Sequence, residues 1–160
     1  MSATPSSSHT HFFLFDQQKI IQFEHAIAWN LLSRDSSISH DELDSTGFYL
    51  DPLTMSLVDF TQWSQTHEGQ TTLHHTPYIW LNFAKFVDGR SYSIAQLLRH
   101  RYEYKGQLLA YGSWSVEQIP LLKNLSFDGF QVHEHDQASD WGVRVDALLS
   151  LEPKHYQPTL

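Results

Sequence analysis

The sequence predicts a single α/β domain with a mainly parallel sheet built from consecutive strand–helix units. Two observations lead to this prediction. Short apolar runs alternate with segments of helical periodicity across the middle of the chain, and 160 residues are the length of one domain. Strands that alternate with helices form parallel sheets joined by right-handed crossovers. Two arrangements stay open: an open doubly wound sheet, and a sheet curled like half of a TIM barrel.

Each element follows from its own pattern. Residues 78–83 are nearly all apolar, which is typical of a strand covered on both faces. Strands are predicted at 47–50, 78–83, 108–111 and 129–133. Helices are predicted, from apolar residues that recur every three or four positions, at 18–33, 56–66, 94–102 and within 116–125. Polar composition predicts loops at 33–45 and 68–76, and 143–151 has the pattern of one more short strand or helix.

The chain ends differ from the middle in composition. We expect a flexible polar tail at 1–10, one domain at 11–150, and an irregular tail at 151–160. The first ten residues contain no basic residue and lack the pattern of a signal peptide, and no apolar run approaches the roughly 20 residues of a membrane span. Cysteine is absent, which excludes disulfides and thiolate chemistry. These features predict a cytoplasmic protein.

Charge is distributed unevenly. The net charge of −8 and the pI of about 5.7 predict neither nucleic-acid nor membrane binding. Half of the ten cationic residues nevertheless lie between positions 85 and 105. They are Lys85, Arg90, Arg99, Arg101 and Lys105. A local basic segment suits a small anion or an acidic partner protein, and the alternative is a charged helix face in water.

The run Asp88-Gly89-Arg90 stands where a buried strand turns into a helix. A helix start offers unpaired N–H groups and a partial positive charge, which favour an anion. Arg90 would supply a bidentate contact to that anion. Asp88 would orient Arg90 or act as a base. The alternatives are an ordinary turn and a salt bridge between the two side chains.

The sequence around Ser91 is nearly repeated 22 positions later, around Ser113. In each copy a serine, Ser93 or Ser115, is predicted to cap a helix. Pro120 conflicts with the second cap, so that helix starts later or is kinked. Both junctions would lie at the carboxyl edge of the sheet, where α/β proteins bind ligands. The predicted anion site is Arg90, Ser91, Ser93, Arg99, Arg101, Gly112, Ser113 and Gln118. Capping by itself also explains these serines and Gln118, as it does Gln96.

The chain holds eleven histidines. His133 and His135 would share one face of a continued strand and are the weak candidates for a metal site. Surface histidines are the alternative that we favour, and we predict no metal or cofactor. The metalloprotease, P-loop, dinucleotide and nucleophile-elbow motifs are all missing from the sequence.

Residues 78–132 resemble a bacterial family known as domain of unknown function 934. The resemblance rests on Phe86-Val87-Asp88-Gly89-Arg90-Ser91-Tyr92-Ser93, then on Ala95, Leu98-Arg99, Arg101, Tyr104-Lys105-Gly106, Ala110, Gly112, Gln118 and Phe127-Asp128-Gly129-Phe130. The chain departs from the family pattern further on. Gln107, Leu109, Ser113, Glu117 and Leu125-Ser126 replace an acid, an arginine, two aspartates and a cysteine-glycine pair.

The resemblance implies a role near assimilatory sulfite reduction, because members are often encoded beside that reductase. Our leading hypothesis is an accessory protein that binds a small oxyanion, or docks on the reductase, through the Asp88-Gly89-Arg90 junction. One alternative is an enzyme that acts on a phosphorylated or sulfated small molecule, with Asp88 as acid or base. The other is a docking scaffold without a ligand, whose basic segment contacts an acidic partner.

Overall fold

The structure, a computed structural model, describes residues 9–24, 26–35, 38, 40–83, 89–133 and 140–151. These residues form one α/β domain. Its strands are β1 Thr10–Leu14, β2 Lys19–Phe23, β3 Ile27–Ala28, β4 Phe48–Leu50, β5 Tyr78–Phe83, β6 Gln107–Gly112 and β7 Gly129–Val132. Its α-helices are α1 Trp29–Leu32, α2 His40–Thr46, α3 Leu57–Ser64, α4 His67–His75, α5 Gly89–Gln96, α6 Ile119–Asn124 and α7 Trp141–Ser150.

All seven strands belong to one sheet, in the order β2-β1-β7-β6-β5-β4-β3. Strands β3 to β7 are parallel and neighbour one another in chain order, while β1 pairs antiparallel with both β2 and β7. Right-handed crossovers between strands added in chain order bring every connecting helix to the same face. The sheet therefore has a half-barrel arrangement and no reversal of strand order, which decides between the two predicted arrangements.

The two faces of the sheet carry different apolar clusters. Alternate residues of β5 point to opposite sides: Ile79, Leu81 and Phe83 pack against helix residues, whereas Trp80 faces away from the helices. In the part of the chain that is described, the buried apolar side chains of the helices all belong to the first cluster. The second cluster is made of strand residues and Ala26. We call its side of the sheet the inner face.

Aromatic contacts show that the sheet curls around the inner face. Phe23 lies on β2, at one edge of the sheet, yet its ring centroid is 4.8 Å from that of Tyr78 and 5.5 Å from that of Trp80 on β5. Phe12 of β1 is also close to Trp80, with centroids 4.9 Å apart. Since these strands are separated by others in the sheet, only strong curvature brings the rings together. In the described part of the chain, side chains of the strands thus fill the inner face, and no helix residue belongs to this cluster.

The four predicted strands and the helices predicted at 56–66, 94–102 and within 116–125 are confirmed as elements. The four predicted strands appear as β4 to β7, and α3 begins after Ser56, whose hydroxyl accepts from the Asp59 N–H at 3.3 Å. A 3₁₀ turn at Val116–Gln118 precedes α6, so Pro120 falls in the first turn of the α-helix, where proline is tolerated. Residues 143–151 belong mostly to α7.

Three predicted segments have a different secondary structure from the one expected. The helix predicted at 18–33 is instead β2, β3 and the short α1, because β2 pairs with β1, a strand that the sequence analysis missed. The polar stretches at 33–45 and 68–76 contain helices α2 and α4. In α4, Thr66 caps the first turn and accepts from the Gly69 N–H at 3.0 Å. Capping and packing against neighbouring elements stabilise helices that composition alone does not indicate.

Helix α5 also begins earlier than predicted, at Gly89, and continues as a π-helix at Leu97–Arg101. Ser93 is therefore inside the helix and not at its cap: its hydroxyl donates to the Gly89 carbonyl at 3.2 Å. Such i to i−4 bonds are usual for serine within helices. Among the described residues, no helix is long and apolar enough to cross a membrane.

Arg99, in the π-helix, holds together the amino edge of the sheet. Its five N–H donations all go to protein acceptors: the carbonyls of Tyr104 at 2.9 Å and Gly106 at 2.8 Å, that of Ser126 at 3.0 and 2.8 Å, and the Asp128 carboxylate at 2.6 Å. The same Asp128 oxygen accepts from the Leu108 N–H at 2.8 Å. One side chain thus joins the loops that precede β6 and β7.

We expect Arg99→Met to destabilise the fold by about 3 kcal/mol, because it leaves three carbonyls and a partly buried carboxylate without their charged donor. Urea unfolding followed by circular dichroism measures this loss. Arg101→Met, two residues away on an exposed side chain, is the matched control and should change stability by no more than about 0.5 kcal/mol. Equal losses in the two variants would show that the Arg99 bonds contribute little.

Candidate functional site

The carboxyl edge of the sheet carries a cavity of about 550 Å³, which we call the rim cavity. It lies between the turn that follows β4 and the first turns of α5. Its lining residues are Pro52, Met55, Leu57, Gly89, Arg90, Ser93 and Ile94. Apolar side chains thus form most of the wall, and the guanidinium of Arg90 is its one ionised group among the residues described there.

Helix α5 brings Arg90 to this cavity. Arg90 lies in the first turn of α5, is exposed, and donates through Nη1 to the Pro52 carbonyl at 3.4 Å. This contact links α5 to the turn after β4. Gly89 and Ser93 line the same cavity. Because the first N–H groups of an α-helix have no partner within the helix, the cavity wall combines a cation with the positive end of α5.

Ser91, predicted as an anion ligand, has a different role. It is fully buried, and its hydroxyl donates to the Asn82 carbonyl at 2.6 Å. This bond attaches the start of α5 to the end of β5. Asp88, the predicted acid or base, lies outside the described residues.

At the second predicted junction, the backbone amides bond to acceptors within the protein. The Gly112 N–H donates to the Gln131 side-chain oxygen at 2.9 Å, and the Ser113 N–H donates to the Phe83 carbonyl at 2.6 Å. Gln118 accepts from the Ser115 N–H at 2.6 Å, as predicted for the cap, and also donates to the Tyr92 hydroxyl of α5. These amides therefore already have acceptors within the protein.

Arg99 and Arg101 lie at the opposite edge of the sheet from Arg90. A helix returns antiparallel to its strand, so residues 90 and 101, eleven positions apart, are separated by roughly 16 Å at 1.5 Å per residue. Arg99 has its five N–H donors engaged at the amino edge. Of the residues predicted for one anion site, the structure brings Arg90 and Ser93 together in the rim cavity and places the two later arginines elsewhere.

Polar side chains that the sequence analysis missed lie at the carboxyl ends of the inner face. Tyr111 of β6 packs against Trp80 and Tyr49, with ring centroids 5.6 and 6.0 Å away. Burial, with smaller contributions from Tyr49 and the Asp51 carboxylate, raises the pKa of Tyr111. Asn82 of β5 is the register partner of Tyr111 on β6, so its side chain points to the same face of the sheet. The sequence signal that could have indicated these side chains was Asn82, a polar residue near the end of the apolar run 78–83.

Leu109 stands where the family resemblance leads us to expect an arginine. It is fully buried on the inner face, in the cluster that contains Trp80. The replacement therefore changes the interior of the curled sheet and not the rim. Among the described residues, no group of three or more histidine, aspartate or glutamate side chains could hold a metal ion. His133 is exposed, and His135 is outside the described residues.

These features define a class: a single α/β domain with a curled, mostly parallel sheet and a ligand-sized cavity at its carboxyl edge. The family model described as bacterial protein of unknown function (DUF934) matches residues 58–160. The chain belongs to this family, which confirms the resemblance drawn from 78–132. No curated protein and no solved structure matches the chain.

Gly112 is at a position that excludes a side chain. Its φ is +97°, and an added Cβ would lie 2.8 Å from the Phe83 carbonyl oxygen and closer still to the Asn82 amide oxygen. We expect Gly112→Ala to lower stability by about 2 kcal/mol or more, because the strain adds to the clash with backbone. Thermal unfolding measures the loss.

Gly89→Ala is the matched glycine control. Among the described residues, an added Cβ at Gly89 would meet no heavy atom within 4 Å beyond its chain neighbours and its own helix backbone, and alanine favours a helix over glycine by up to about 1 kcal/mol. The variant should be neutral or slightly stabilised. A Gly112→Ala variant as stable as Gly89→Ala would contradict the proposed packing of this edge.

Proposed function

We propose that the protein binds a small anion with an apolar body in the rim cavity, as an accessory binding protein. The observation that carries this proposal is the composition of the cavity wall. One guanidinium and the positive end of α5 face a space that is otherwise lined mainly by Pro52, Met55, Leu57 and Ile94.

The size and lining of the rim cavity favour an organic anion over a bare inorganic ion. A cavity of about 550 Å³ is within the range of roughly 300–1,000 Å³ for small-molecule sites. Apolar side chains cannot replace the water around a bare oxyanion, whereas they contribute about 0.8 kcal/mol for each methylene that they bury. A carboxylate or sulfonate with a short hydrocarbon part satisfies both portions of the wall.

The role near sulfite reduction that the family resemblance implies makes a sulfur oxyanion the first ligand to test. Arg90 suits such a group because its planar fork donates two parallel hydrogen bonds to neighbouring oxygens. Ser93 lies one helical turn further along α5 and lines the same wall. Its hydroxyl oxygen keeps lone pairs while it donates to the Gly89 carbonyl. Binding of this kind needs no catalytic residue.

The test uses calorimetric titration with methanesulfonate, propanesulfonate and inorganic sulfate. We expect propanesulfonate to bind about tenfold more tightly than methanesulfonate, because two further methylenes are buried. Arg90→Gln should weaken the binding of both sulfonates about tenfold or more. Leu57→Ser should reduce the difference in affinity between propanesulfonate and methanesulfonate. Arg34→Gln, which removes an exposed arginine outside the rim cavity, is the matched control.

Two results would contradict the proposal. One is sulfonate affinity that survives in Arg90→Gln. The other is an equal response of Arg90→Gln and Arg34→Gln, which would indicate a general effect of net charge.

A further inference from the structure

A second cavity, of about 400 Å³, lies at the amino edge of the sheet. We call it the amino-edge cavity. It is formed by the end of α3, by α4, and by the segment that follows the π-helix. The side chains that matter for its chemistry are Gln65, Gln70, His74, Arg101, Glu103 and Lys105. Nothing in the proposed function uses this cavity.

The two cations of the amino-edge cavity, Arg101 and Lys105, form no ion pair with any described residue. Arg101 and Lys105 are both exposed, and neither has an acidic side chain within salt-bridge distance in the part of the chain that is described. Arg101 lies over the ring of Tyr102, with 6.0 Å from its guanidinium carbon to the ring centroid. Glu103 is the one carboxylate among the lining residues. The described wall therefore carries a net charge of +1 with His74 neutral, in a chain whose net charge is −8.

The backbone that carries these cations is irregular and firmly held. The π-helix at Leu97–Arg101 ends with a bond from the Tyr102 N–H to the Leu97 carbonyl at 3.0 Å, and Glu103 has a φ of +53°. Arg99 binds the carbonyls of Tyr104 and Gly106 on the same segment. Short π-helical segments occur often at functional sites. The charged groups thus stand on a pre-organised segment, which lowers the entropic cost of binding.

The remaining wall is more polar than that of the rim cavity, although Leu73 and Tyr102 also line it. Gln65 and Gln70 contribute amides from α3's end and from α4, and the Gln70 amide donates to the Gln65 carbonyl at 3.4 Å. His74 adds a ring nitrogen from the next turn of α4. This wall differs from that of the rim cavity, which is mainly apolar. Amides and imidazole suit hydroxyl groups, and two cations suit a doubly charged group.

We propose that the amino-edge cavity binds a small dianion of the phosphate type, either inorganic phosphate or the phosphate group of a small hydroxylated monoester. Arg101 and Lys105 hold the phosphate oxygens, and the glutamine amides contact the rest of the molecule. Binding here is independent of the rim cavity, since the two cavities share no lining residue.

The test compares inorganic phosphate, glycerol phosphate and glycerol, at constant ionic strength, by calorimetric titration and by the shift in melting temperature. Phosphate should bind, and glycerol phosphate should bind more tightly if the glutamines contact its hydroxyls. Glycerol alone should not bind. The double substitution Arg101→Gln with Lys105→Gln should weaken both anions about tenfold or more, whereas Glu103→Gln should strengthen them because it removes the opposing charge.

The matched control is Lys19→Gln with Arg34→Gln, which removes the same charge from exposed positions that do not line the cavity. It should keep full phosphate affinity. Arg90→Gln should keep it as well, which separates this proposal from that for the rim cavity. Equal losses in the two double variants, weaker binding in Glu103→Gln, or no phosphate binding by the unmodified chain would overturn the proposal.

Discussion

The bond between Arg99 and Asp128 is the constraint on which the described architecture depends. Asp128 fixes the start of β6 through the Leu108 N–H, and Arg99 joins the loops before β6 and β7 to the end of the π-helix. Partly buried charges such as these need complete hydrogen bonding, because otherwise the cost of removing them from water is not compensated. Residues that carry the family resemblance, Leu98-Arg99 and Phe127-Asp128, are therefore explained by folding. Their presence in a motif does not indicate a ligand.

The cations of the basic segment have different roles at the two edges of the sheet. At the amino edge, all five N–H donors of Arg99 bond to acceptors in the protein. Arg101 and Lys105 remain exposed on the segment that Arg99 anchors. At the carboxyl edge, Arg90 joins a mainly apolar cavity. The basic segment between 85 and 105 is thus not one electrostatic surface. A helix that runs the length of the sheet distributes its cations to both ends.

The curled sheet also explains why the second copy of the repeated junction differs from the first. Gly112 has a positive φ and sits against β5, so the chain turns immediately and its amides bond to Gln131 and Phe83. Ser115 then caps a 3₁₀ turn, and the α-helix begins only at Ile119. The two junctions, which are similar in sequence, therefore differ in structure: α5 begins at Gly89, whereas a 3₁₀ turn and then α6 follow the second junction.

The sequence by itself determined the parallel strands β4 to β7, since their apolar runs are long enough to be buried and are bounded by turn residues. It also determined the family. Only the tertiary structure decided that β1 and β2 extend the sheet, that α2 and α4 are helices, and which cations share a cavity. These depend on hydrogen bonds and contacts between residues far apart in the chain, and periodicity within one segment holds no information about its partners.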